Sequence, residues 1–276
     1  MKPFHLGPIW AVATTQFRLR TRYRGWFLLD LIIPTITAAI PILLGRATGG
    51  LNAAANFEQN TGTGNYVVYI LIGANVFSMV SAALWNMGFW MRREAQTGTL
   101  EALYLAPTTR FHIIAGIALY GAIRSIVNFV VAFSLGCLLF QVNPLQGNIL
   151  VALAFLLTGV LPLFGLSLLF GAVVLKVKEA NALVQLMQWV VSLLMGVYFP
   201  VTVFPPFLRV VALLFPPTWV NNGVRASLLG LGYFFETWYA DLAVLWAFVL
   251  LGPLIGMWAF AQVERNLKRN EGIGQF

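Results

Sequence analysis

The chain has 276 residues, 59% hydrophobic and 9% charged, against about 45–50% apolar and about 25% charged in an ordinary soluble domain. With a mean hydropathy of +0.82, this excludes soluble, disordered and collagen-like classes, and a single Cys excludes a disulfide framework. A net charge of +8 would suggest nucleic acid in a soluble protein, but in so apolar a chain the charges speak to membrane topology and no nucleic-acid partner is expected.

The reading is an all-α integral membrane protein, taken as one domain over 1–276. Residues 7–24 (GPIWAVATTQFRLRTRYR) predict an amphipathic helix on the membrane surface, with Trp10, Val12 and Phe17 in the lipid and the arginines reaching anionic headgroups. Apolar runs at 26–45, 66–90, 111–140, 149–175, 182–204 and 240–262 predict six spanning helices. The third exceeds what the hydrocarbon requires, so it tilts or projects beyond it. The first run contains Pro34 and Pro41 and lacks a small-residue cleavage site, so no cleavable signal peptide is expected.

Loop 91–110 (MRREAQTGTLEALYLAPTTR) carries five of the 26 charged residues. Gly98 can cap a two-turn helix over Thr99–Leu105 that stops before Pro107. Glu101 lies in its first turn, where the helix dipole favours an anion. Leu100, Leu103 and Tyr104 form an apolar side, giving a short rigid knob. Segment 205–239 is apolar but broken by Pro205-Pro206 and Pro216-Pro217. Phe207–Phe215 makes about 14 Å of helix against a core of about 30 Å, so a re-entrant pair of short helices is expected before the last span.

Basic residues alternate between loops. Thirteen fall on one face, including Arg18, Arg20, Arg22 and Arg24, while the other face has Arg46, Arg209 and Arg225. By the positive-inside rule both termini are cytoplasmic, which puts loop 91–110 inside and segment 205–239 outside.

Polar residues at helical spacing mark two faces. Asn75, Ser78, Ala82 and Asn86 follow one another at steps of three, four and four in the second span, and Gln185, Gln188, Ser192 and Gly196 do so in the fifth. Such faces line a path or pack helices. Arg124 lies inside the third span, with Tyr120 and Asn128 four residues away on either side. An intramembrane charge is functional or paired; Asp30 is one candidate partner, though Asp30 can instead answer the arginines of 18–24. Glu236 and Asp241 could close an outer gate with Arg225. His5, His112 and Cys137 are too scattered for a metal site or a catalytic triad, so no enzyme is expected. No G-x-x-x-x-G-K-[ST] pattern occurs.

The run Glu94, Gly98, Thr99, Leu100, Glu101, with Pro107 after it, placed between the second and third spans, resembles the E-x-x-x-G-T-L-E signature of type-2 ABC transporter permeases. Inward termini, an amphipathic start and a hairpin before the last span extend the resemblance over nearly the whole chain. It implies that loop 91–110 is a coupling helix docking on a separate nucleotide-binding subunit through Arg93, Glu94, Gly98, Thr99, Leu100 and Glu101. It implies ATP and Mg on that subunit and none on this chain, and a second permease copy, with the half-size permease set in a prokaryotic plasma membrane. It also favours the path reading for Asn75, Ser78, Asn86, Gln185, Gln188 and Ser192. Outward movement of a drug-like or lipid-like amphiphile is expected; export of a polysaccharide or lipid-linked glycan, or an ATP-independent carrier or channel, are the alternatives. A carrier would place more ionisable groups at mid-membrane than Arg124.

Overall fold

Long apolar runs fold as helices because lipid offers the backbone no hydrogen-bond partner outside the segment itself. The computed structural model describes residues 6–22, 24–90, 94, 98, 110–144, 147–174, 177 and 180–270. Among the described residues there are ten α-helices and no strand. They are α1 (Leu6–Thr21), α2 (Arg24–Gly49), α3 (Ala53–Thr61), α4 (Tyr66–Gly88) and α5 (Arg110–Phe140). After these come α6 (Ile149–Val174), α7 (Ala180–Leu194), α8 (Pro206–Leu213), α9 (Pro216–Leu229) and α10 (Trp238–Asn270).

Five helices, α2, α4, α5, α6 and α10, are long and apolar enough to cross a membrane. The sixth expected span, 182–204, is not a single helix. α7 has 15 residues and stops at Leu194, about 22 Å at 1.5 Å per residue and short of a core of about 30 Å. The stop is local. Gly196 adopts φ 62°, its N–H bonds the Leu193 carbonyl and the Val197 N–H bonds the Ser192 carbonyl. This is a Schellman closure, which glycine enters without steric cost. The chain then leaves through Pro200 and a short 3-10 turn at Val201–Val203.

α4 and α6 form the centre. The apolar window of α4 is 78% buried, whereas that of α10 is 11% buried, so α10 lies at the periphery with Leu250, Leu254 and Trp258 exposed. α10 nevertheless makes an extensive pairing with α6. A Cβ on Gly165 would run into the main chain of Gly252 and Pro253, and one on Gly256 into the Gly165 carbonyl. The small residues let the two backbones approach closely, as is common between helices in lipid.

α1 packs on α5, where Gly116 leaves room for the Ile9 carbonyl and Val12. Its Leu6, Trp10, Phe17 and Leu19 remain exposed. The segment 205–239 does contain two short helices, and each Pro pair starts one of them. Pro206 opens α8, and Pro216 and Pro217 open α9, positions where a missing N–H loses no bond. α9 is largely buried against α4, α6 and α10. α3 has no counterpart in the sequence reading, which treated 46–65 as a plain loop; its Phe57 ring meets Tyr69 edge-on at 5.1 Å.

Candidate functional site

Arg124 of α5 and Asp30 of α2 form an ion pair, with their side chains 11% and 26% exposed. Of the options for these two charges, the pairing across helices is the one adopted. The same two helices are joined by Thr35, whose hydroxyl donates to the Ala132 carbonyl at 3.2 Å. A charge taken out of water needs a partner that neutralises it or hydrogen-bonds it, and here a carboxylate comes from a neighbouring helix.

The pair borders two neighbouring cavities whose linings share Ala82, Arg124, Ser125 and Asn128. The smaller, about 30 Å³, is lined by Asp30, Asn75, Ser78 and Asn128 among others. The larger, about 220 Å³, reaches Gln16 of α1, Asn86, Glu94 and Tyr120. Along α4 the polar side chains turn back on their own helix. Asn75 Nδ2 donates to the Leu71 carbonyl at 2.8 Å and Asn86 Nδ2 to the Ala82 carbonyl at 2.7 Å. Asn75 is 1% exposed, and its Oδ1, like that of Asn128, meets no hydrogen-bond partner among the described residues. Buried carbonyl oxygens of that kind are hydrogen-bonded in nearly every folded protein.

The face Asn75–Ser78–Asn86 is thus turned toward α2 and α5 and shares its space with Arg124 and Asp30. The second face does not join it within this chain. Gln188 of α7 donates to Ser81 Oγ, and at 100° per residue Ser81 lies about 120° or more round α4 from Asn75 and Asn86, though about 60° from Ser78. Ser192 Oγ donates to the Trp189 carbonyl at 2.9 Å, and Gln185 is exposed. Gly196 ends α7 rather than continuing its polar face.

In loop 91–110 the described positions before Arg110 are Glu94 and Gly98. Glu94 lines the larger chamber. Gly98 is exposed in a turn with φ 71°, a left-handed conformation rather than the extended one usual at an N-cap. Arg93, Thr99, Leu100 and Glu101, with the helix expected over Thr99–Leu105, lie outside the described residues.

One site went unread in the sequence. Thr218, Asn221 and Arg225 share a face of α9 and close the end of α7. Thr218 Oγ1 donates to the Leu194 carbonyl at 3.4 Å and Asn221 Nδ2 to that of Met195 at 2.7 Å. Arg225 donates to the Gly196 and Val197 carbonyls and, through Nε and Nη2, to that of Tyr69. The signal was present as a T-x-x-N-x-x-x-R spacing inside an apolar helix, but Arg225 was counted as a loop charge. The gate pairing with Asp241 is absent. Asp241 accepts from the Phe234 and Phe235 N–H groups, both at 2.9 Å, and Arg225 is taken up by carbonyls.

Residues 24–258 match the family described as "ABC-2 family transporter protein", a stretch that runs from the start of α2 into α10. No curated protein matches the chain.

Proposed function

The chain belongs to the ABC-2 family of transporter proteins, and from that premise we propose that it is the membrane-spanning half of an ATP-driven exporter for amphiphilic or hydrophobic molecules. The family makes it the membrane subunit of an ABC transporter working with an ATPase subunit. Beyond this, the proposal is that two copies of the chain pair in a prokaryotic plasma membrane with both termini inside, and that ATP and Mg are bound by the partner subunits. α1 then lies along the inner surface, Trp10 and Phe17 dipping into lipid, and α8 and α9 form a hairpin entering from the outer side.

The observation that carries the reading is the position of Glu94. It belongs to the E-x-x-x-G-T-L-E run and lines the cavity that also borders Arg124, the partner of Asp30. A push on loop 91–110 by a closing ATPase dimer would be felt at a polar cleft within the membrane domain. Rigid-body displacement of this kind is a common means of passing a conformational change between subunits. A largely apolar, aromatic-rich chain with few fixed charges suits cargo that already partitions into lipid.

The test is purification of the tagged protein from its native membrane in mild detergent, with mass spectrometry and an ATPase assay on what is retained. A stoichiometric ATPase subunit, lost on reversing Glu94 and Glu101 to Lys, is expected. Inside-out vesicles should then accumulate a lipophilic dye only with ATP. A chain that purifies alone from gentle detergents, with no associated hydrolysis, would overturn the proposal.

A further inference from the structure

We propose that the small cavity between α2, α4 and α5 is a hydration site, holding one or two ordered waters that join Asn75 of α4 to Asn128 of α5 inside the membrane domain. The inference concerns this chain alone and holds whichever molecule the protein moves.

Two oxygens create the need for an occupant. Asn75 is almost wholly buried and gives its Nδ2 to the Leu71 carbonyl, so Oδ1 is the part of its amide left to bond. That oxygen and Asn128 Oδ1 are both buried and meet no hydrogen-bond partner among the described residues. Both residues border the cavity. Bulk water does not reach either oxygen, so the donor each one needs comes from a molecule seated in the cavity itself.

Size and lining select that molecule. The cavity measures about 30 Å³, above the roughly 10–15 Å³ that one water requires and far below the roughly 300 Å³ at which organic-ligand sites begin. Asp30, Ser78, Arg124 and Ser125 complete its polar wall. The lining therefore mixes amide and carboxylate oxygens with hydroxyls and with the N–H groups of a guanidinium. Water donates and accepts at once, and so meets every member of the set. A rotated Asn128 amide would present nitrogen in place of oxygen, and water meets that too. A sodium ion can use only the oxygens and would sit beside the positive charge of Arg124. A lipid methyl group would leave both amides unmet.

The place of the site gives it a consequence. Asn75 falls near the middle of the α4 span, Tyr66–Asn86. The Arg124–Asp30 pair joins α5 to α2, and the water joins α4 to α5 beside it, so three spanning helices meet at one hydrated point. A bridge through water is nearly as favourable as a direct hydrogen bond. This seam is thus held by polar contacts although it lies among apolar spans.

The test is hydroxyl-radical footprinting of the full-length chain in phosphatidylcholine nanodiscs. A brief X-ray pulse makes radicals from whatever water lies beside each side chain, and mass spectrometry measures the oxidation. Met79 and Phe129 are buried and border the cavity, and both should be oxidised. Phe155 is equally buried and borders neither cavity, and should be protected. Asn75→Leu and Asn128→Leu should each slow oxidation at Met79 and Phe129 by about 10-fold, the change in occupancy that one lost hydrogen bond brings. A variant that folds poorly shows itself by oxidation at Phe155, and Asn75→Ser, which keeps a hydroxyl and adds room, should retain the parent pattern. Protection of Phe129 equal to that of Phe155 would overturn the proposal. So would unchanged rates in both Leu variants, or rates that rise severalfold when choline replaces sodium, which would mark an ion in the cavity.

Discussion

The guanidinium carbon of Arg225 lies 3.6 Å from the centroid of the Tyr69 ring, while the guanidinium nitrogens donate to the carbonyl of that same Tyr69 and to those of Gly196 and Val197. One buried side chain thereby ties α4, the C-terminal end of α7 and α9 together without a carboxylate. The cation is stabilised by carbonyl dipoles at a helix C-terminus and by the ring face. Gly73 makes the arrangement possible, because a Cβ there would overlap both Val197 and Arg225.

Arg225→Ala should therefore remove the guanidinium's bonds to three carbonyls at once, leaving Gly196 with only the 3.3 Å bond from Asn221 Nδ2. Each lost bond to a charged donor is worth about 1.5–3 kcal/mol, so a fall in melting temperature of many degrees in detergent is expected. Arg225→Lys should recover only part of it, because an ammonium cannot span the fork. Fluorescence-detected size-exclusion after a heat series measures both; an Ala variant that melts with the parent would refute this role.

The Arg124–Asp30 pair makes a different prediction. Asp30→Asn takes from the guanidinium its ion-pair partner on α2, and breaking a buried pair costs about 3–5 kcal/mol, less here because Asp30 is partly exposed. Removing both charges, as Asp30→Leu with Arg124→Met, should be milder than removing Asp30 alone. A thermal-stability double-mutant cycle decides it, and additive losses would mean that the two side chains do not depend on each other.

How much of this was legible beforehand depends on whether the cause is local. The ends of α4 and α6 and the start of α10 follow from composition and from loop residues near them, whereas α10 runs on to Asn270, past the 262 at which the apolar run stops. Pro pairs announce α8 and α9 because proline is tolerated in a first turn and not beyond. The end of α7 was written in Gly196 and Pro200, but Gly196 falls in step with Gln188 and Ser192 and was read as part of a polar face. Spacing alone does not separate a small residue that packs from one that adopts φ 62°. Arg225 was missed for a non-local reason. Its meaning depends on Tyr69 and on the α7 carbonyls, which lie far away in sequence. The same holds for Asn75: periodicity placed it on a face with Ser78 and Asn86, and only the packing of α2 and α5 turned that face toward Arg124.

The α6–α10 contact should be intolerant of one added carbon. Gly165→Ala and Gly256→Ala each drive a methyl into main-chain atoms of the opposite helix, where no rotamer change relieves the overlap, so a cost of about 1–3 kcal/mol is expected. Gly25→Ala, in a helix with nothing within 4 Å of the new methyl, should be neutral or slightly stabilising. Comparing the three melting temperatures separates close packing from helix propensity; equal shifts would count against the packing argument.

Gly196 offers the sharpest local test, because the length of α7 depends on it. At φ 62° an L-residue pays about 1–2 kcal/mol, and its Cβ would also approach the Phe199 carbonyl oxygen at 2.5 Å. Gly196→Ala should thus destabilise the protein by more than the conformational term alone. Gly196→Asn, the other residue that enters this conformation readily, should cost as much as Ala if the Phe199 clash dominates and clearly less if the backbone angle dominates. If α7 instead ran on as a helix through this position, both substitutions would raise stability, since glycine is a poor helix former by about 1 kcal/mol relative to alanine. Melting of the two variants against the parent, in the same detergent, distinguishes a helix that stops at Leu194 from one that crosses the whole bilayer.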